Sequence, residues 1–149
     1  MNTNGKILLL LGAGLNFGIA LLHVAIIIAG APGYLYFGTA DLAILAVQGS
    51  PIPALLTGAL VIIFAAFGFY ALSGAGLIRR LPLLTLGLIG IGGIYTLRGL
   101  IVIPDSISLV RGADYPFRQT AFSAVALAIV ILYLVGAVQR WRYLRARRD

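Results

Sequence analysis

Four apolar runs, roughly residues 7–31, 53–78, 81–103 and 116–138, dominate what this chain can fold into. Each is long enough, at about 20 helical residues, to cross a hydrocarbon core of about 30 Å. The sequence therefore predicts an all-α transmembrane fold. One integral membrane domain occupies 1–149 as an antiparallel four-helix bundle, with a short external surface helix between the first and second segments and a basic cytoplasmic tail over 139–149. Pro53 and Pro116 stand where proline suits a helix start, because its missing N–H would be unpaired there anyway. Pro32 and Pro104 fall just beyond helix ends. The first run, with Lys6 ahead of it and Ala29-Gly30-Ala31 behind, also has the outline of a secretory signal, but its apolar stretch exceeds the usual length and it is expected to persist as a helix.

Composition narrows the chemistry. The chain is 61% hydrophobic and only 10% charged, with a mean hydropathy of +1.06, well outside the soluble globular range. It contains no cysteine, so disulfides, thiolate metal sites, iron–sulfur clusters and thiol redox chemistry are excluded. Glutamate is absent as well, and the four acids are Asp41, Asp105, Asp114 and Asp149. No P-loop, dinucleotide-binding glycine pattern or nucleophile elbow occurs. No cofactor and no metal are expected: the lone His23 has no cysteine or glutamate to complete a ligand set.

The formal charge of +7 reads as topology rather than as nucleic-acid binding. Lys6, the Arg79-Arg80 turn and the tail "RWRYLRARRD" would share the cytoplasmic side, whereas residues 32–52 carry no Lys or Arg. Both termini are then inside, in a protein suited to a bacterial inner membrane. Residues 104–118 fall outside, with Arg111 and Arg118 partly balanced by Asp105 and Asp114. Trp141 and Tyr143 are expected near the inner interface, and Tyr34, Tyr36 and Phe37 at the outer headgroup level. In the first external loop "TADLAILAVQG" predicts a short helix: Thr39 as cap, Asp41 in the first turn at the positive dipole end, Gly49 as terminator.

Polar residues recur at one depth. His23, Thr57, Tyr95, Arg98, Gln119, Thr120 and Ser123 all fall in the outer slab, so every segment contributes to it. Asn16, Tyr70, Ser73 and Thr85 in the inner half are scattered and uncharged. Asn16 and His23, seven residues apart, share a face of the first segment with Gly12, while Gly14, Gly18, Ala25 and Ala29 form a small-residue stripe on the opposite side. The polar face is expected to look inward and the stripe to meet a neighbouring helix, including one from a second copy through Gly14, Gly18 and Ala25.

Three functions follow as expectations. The leading one is a non-catalytic membrane protein that binds a lipid or a small anionic or amphipathic ligand in an outer-leaflet pocket formed by His23, Thr57, Tyr95, Arg98 and Gln119. Arg98 suits an anion through its planar fork, although it could instead snorkel to headgroups or pair with an aspartate. The second is an enzyme on a lipid-soluble substrate, with His23 as acid/base, Arg98 holding an anion and Asp41 orienting the histidine. The third is a structural or assembly subunit. In length and four-helix plan the chain resembles the small multidrug transporters, whose proton coupling depends on a glutamate in the first helix. His23 or Asn16 stands there instead, so that activity is not carried over.

Overall fold

The computed structural model of the chain describes residues 3–100, 107 and 117–145. In order along the chain these form α1 (Thr3–Ala29), α2 (Ala31–Tyr36), α3 (Ala40–Val47), α4 (Ile52–Ala75), α5 (Leu84–Leu100) and α6 (Phe117–Arg145), and no strand occurs among the described residues. By length and composition α1 and α4 are each able to cross a membrane.

Left-handed glycines punctuate these elements. Gly30, at φ 64°, ends α1 by donating its N–H to Ile26 O at 3.0 Å, and its own carbonyl then accepts Tyr34 N–H at 3.1 Å to begin α2. One residue thus closes one helix and opens the next, a conformation that a side chain would resist. Pro32 sits in the first turn of α2, where a missing N–H is harmless. Pro32 does lie just beyond the end of α1, as expected, but the chain re-enters a helix at once. At the end of α3, Ser50 N–H reaches back to Leu45 O at 3.0 Å across Gly49, the six-to-one bond of a Schellman close.

The short helix expected in this connection is present as α3, with Asp41 in its first turn. Thr39 occupies the N-cap position, but its hydroxyl donates to Tyr34 O at 2.8 Å instead of accepting from α3. Other boundaries shift. The expected two-residue turn at Arg79-Arg80 is an eight-residue non-helical stretch, 76–83, because Gly76 adopts φ 78° and ends α4 early, while Pro82 disfavours helix at the residue before it. The tail does not begin at 139: α6 continues to Arg145, with no proline or glycine after Gly136 to stop it. Pro104, Asp105, Arg111, Asp114 and Pro116 lie outside the described residues, as do the side chains of Arg118, Gln119, Thr120, Ser123, Trp141 and Tyr143.

The chain divides into two compact units. The first holds residues 1–13 and 70–149. Its core is built on Leu9 and Leu88, both buried: Leu9 of α1 lies against Gly74 of α4 and Gly136 of α6, and Leu88 of α5 also lies against Gly74. Glycine permits the approach, and at Gly99 it faces backbone, since a β-carbon there would fall 3.1 Å from Leu127 Cα on α6. Tyr133, fully buried, covers Gly12. The second unit holds residues 14–69. Phe17 of α1 sits on Gly68 and meets Phe69 edge-on at 5.3 Å. Ile26, Tyr34 and Ala43 form a small core beneath α2 and α3, packed by Ala31, Phe37, Leu42 and Ala46.

Candidate functional site

In the second unit the hairpin of α2 and α3 brings Tyr34 inward, 3% exposed, where Thr57 Oγ1 donates to its hydroxyl at 3.2 Å. From the sequence Tyr34 reads as an interfacial or a core aromatic. It is a core residue, because Gly33 lies close over Ile26 of α1 and the turn aims the ring down into the Ile26/Ala43 cluster. Tyr36, two residues on, is 61% exposed and keeps the outward position. Thr57 is itself buried, and the pair satisfies two hydroxyls that would otherwise be stranded among apolar groups.

His23 is half-buried on α1. Its Nδ1 donates to Ile19 O at 2.8 Å, one turn back, and its ring lies 5.0 Å from that of Phe64 on α4. The imidazole is therefore oriented by its own helix backbone, leaving Nε2 on the opposite edge of the ring. Asp41 is exposed in the first turn of α3. Along α1, Asn16 is fully buried while Gly14, Gly18 and Ala25 are exposed, and a β-carbon at either glycine would meet nothing within 4 Å. The small-residue stripe faces outward, as its angular position opposite Asn16 predicts.

In the first unit, α5 carries Tyr95, buried, and Arg98, half-buried, in successive turns. The Tyr95 ring lies 6.3 Å from Tyr133 of α6, and both Tyr95 and Arg98 are engaged by neighbouring groups. Leu97 and Leu100 on either side of Arg98 are 71% and 50% exposed, so this turn of α5 carries an outward apolar surface. Thr96 turns its hydroxyl back to Gly92 O at 2.7 Å. Gln119 is on α6, its side chain outside the described set. The expected pocket residues thus divide: His23 and Thr57 in one unit, Tyr95, Arg98 and Gln119 in the other.

Two further features were not read from the sequence as sites. A groove of about 580 Å³ lies on the α2–α3 hairpin, walled by Pro32, Leu35, Ala43, Ile44 and Val47. Ser73, 2% exposed, organises the 76–83 stretch: its hydroxyl donates to Arg79 O at 3.1 Å and accepts Leu81 N–H at 2.9 Å. Tyr70 adds a hydroxyl bond to Pro82 O at 3.3 Å. The available signal was the close succession of Ser73, Gly76 and Pro82: a hydroxyl in the last turn, a helix-ending glycine and a proline that breaks the next start. Among the described residues, no three of His, Cys, Asp and Glu gather as a metal-binding group.

Compared with protein families, curated proteins and solved structures, the chain matches none.

Proposed function

We propose that this chain is a multi-pass integral membrane protein, an antiparallel four-helix bundle that binds a lipid or a small anionic amphiphile rather than catalysing a reaction. The observation that carries the membrane reading is the outward surface of its longest apolar helices. Of the most apolar stretch of α1 only 28% is buried, and of that of α4 only 17%. A core helix of a water-soluble protein hides such a surface, whereas Leu21, Ile28, Leu55 and Ile62 here are each about 70% exposed or more. Uncovered in water, so much contiguous apolar area would drive association. In hydrocarbon it is matched to its solvent. The α5 helix, at 17 described residues, meets the lower limit for a span, and the apolar part of α6, Ala124–Gln139, comes just short of it.

Orientation follows from the basic residues: both termini and the Arg79-Arg80 stretch cytoplasmic, the α2–α3 hairpin outside, in a membrane of the bacterial inner type. Support for the binding reading comes from Arg98, a cation half-buried on an apolar helix and flanked by exposed leucines, where the negative group of an amphiphile can meet the guanidinium while its chain follows Leu97 and Leu100. His23, with Nδ1 committed to Ile19 O, keeps Nε2 as a second hydrogen-bonding edge. The test is thermal unfolding in detergent against a panel of phospholipids and anionic metabolites. At least one ligand class is expected to stabilise the protein, with the gain lost in Arg98→Ala and reduced in His23→Ala. A panel whose stabilising members act equally on all three proteins contradicts the binding reading.

A further inference from the structure

The stretch 76–83 is a connection whose backbone is held more firmly than its length requires. Ser73 grips it at two points, Tyr70 at a third, and Leu83 is kept at φ 50°, a left-handed conformation that a residue with a side chain rarely adopts and retains only where neighbours enforce it. What this frame presents is specific. Arg79 and Arg80 are both exposed at its middle, bracketed by Leu77 and Ile78 on one side and Leu83 on the other, which are 53%, 38% and 75% exposed. Ser73 takes the Arg79 carbonyl and the Leu81 N–H for itself, so the backbone around the arginines is fixed while both guanidinium groups project. Asp41 is the only acid among the described residues, and it does not lie in the same unit as the two arginines. Nor does α5, which starts at Leu84, place an acid in its first turn to offset the positive end of its dipole.

Two adjacent cations with apolar side chains on both flanks form a surface that is polar where a headgroup lies and apolar where acyl chains begin. We propose that residues 77–83 are a binding site for the phosphate of an anionic phospholipid in the cytoplasmic leaflet, with Arg79 and Arg80 holding the phosphodiester and Leu77, Ile78 and Leu83 entering the acyl boundary. The inference rests on the membrane reading above and concerns a different part of the chain from Arg98. Arginine suits the role because its planar fork gives two parallel N–H donors to phosphate oxygens. Each basic residue near an anionic surface contributes about fivefold in affinity, so the pair is worth roughly twentyfold or more.

The experiment is lipid retention by native mass spectrometry of the full chain, exchanged from detergent into mixed micelles of phosphatidylglycerol and phosphatidylcholine. Wild type is expected to retain phosphatidylglycerol preferentially. The Arg79→Gln/Arg80→Gln double variant should lose roughly twentyfold of that preference, with helical circular dichroism unchanged because both residues are exposed. Gln48→Ala, exposed at the end of α3, should keep it. Inorganic phosphate at millimolar concentration should not displace the lipid, since it lacks the chains that the leucines engage. An unchanged preference in the double variant overturns the site, and displacement by inorganic phosphate overturns its assignment to lipid. A wild-type chain that stays soluble and monodisperse without detergent overturns the membrane reading itself, an outcome distinct from either.

Discussion

Residues 30–51 and residues 76–83 both join long apolar helices, and they hold their shapes by opposite means. The first connection is long and free of Lys and Arg, and it is folded into two short helices closed by glycines. Its conformation depends on burial: Tyr34 drops into a core of its own beneath α2 and α3, and Thr57 pairs its hydroxyl. The second is short and dibasic, and its conformation depends on hydrogen bonds, two of them made by the single hydroxyl of Ser73. A connection with enough residues to build a core can dispense with polar clamps. One of eight residues cannot bury enough apolar area to offset the entropy of ordering, and a buried hydroxyl on the preceding helix supplies the constraint instead.

Breaking the first connection should have the larger effect. Tyr34→Ala removes a ring that is 3% exposed and strands the Thr57 hydroxyl, so a loss of about 3–5 kcal/mol is expected, measured as a fall in unfolding midpoint in detergent. Ser73→Ala leaves the Leu81 N–H and Arg79 carbonyl without their partner at a cost of about 1–3 kcal/mol, and hydrogen exchange at Leu81 should rise while exchange in α3 does not. Thr57→Val and Tyr34→Phe each remove one hydroxyl at nearly constant volume and should cost about 1 kcal/mol. The double variant should cost much less than their sum, as a thermodynamic cycle would reveal, because replacing both partners leaves neither unsatisfied. Substituting the exposed Arg79 and Arg80 together should shift the midpoint by less than about 0.5 kcal/mol, so that any change in lipid retention is separable from stability.

Much of this was legible in the sequence, for physical reasons. The seven-residue spacing of Asn16 and His23 placed the polar face of α1 opposite Gly14 and Gly18, and those glycines are open while Asn16 is fully buried. Periodicity survives because one helix has only one inward face. The α3 helix was readable from Asp41 and Gly49 because start and stop signals are local. The second short helix, α2, was not, since Gly30 and Pro32 signal an end and a start with the same residues. The role of Tyr34 was missed because an aromatic in a loop reads equally as an interfacial anchor or as a core plug, and only the hairpin's folding decides between them. Ser73 escaped for a similar reason: what its hydroxyl meets six and eight residues later depends on the path between. Most of the site expected at one depth rests on residues in different units, and depth alone carries no information about lateral neighbours.

The membrane reading and its orientation stand or fall together on which face of a bilayer each connection occupies. Because the chain has no cysteine, single substitutions report without background. Gln48→Cys lies at the exposed end of α3, and Ile78→Cys lies beside the arginines. In spheroplasts of an expressing bacterium treated with a membrane-impermeant maleimide, Gln48→Cys should be labelled at once and Ile78→Cys only after permeabilisation. Equal labelling of both before permeabilisation, or recovery of the protein from the soluble fraction, would contradict the account.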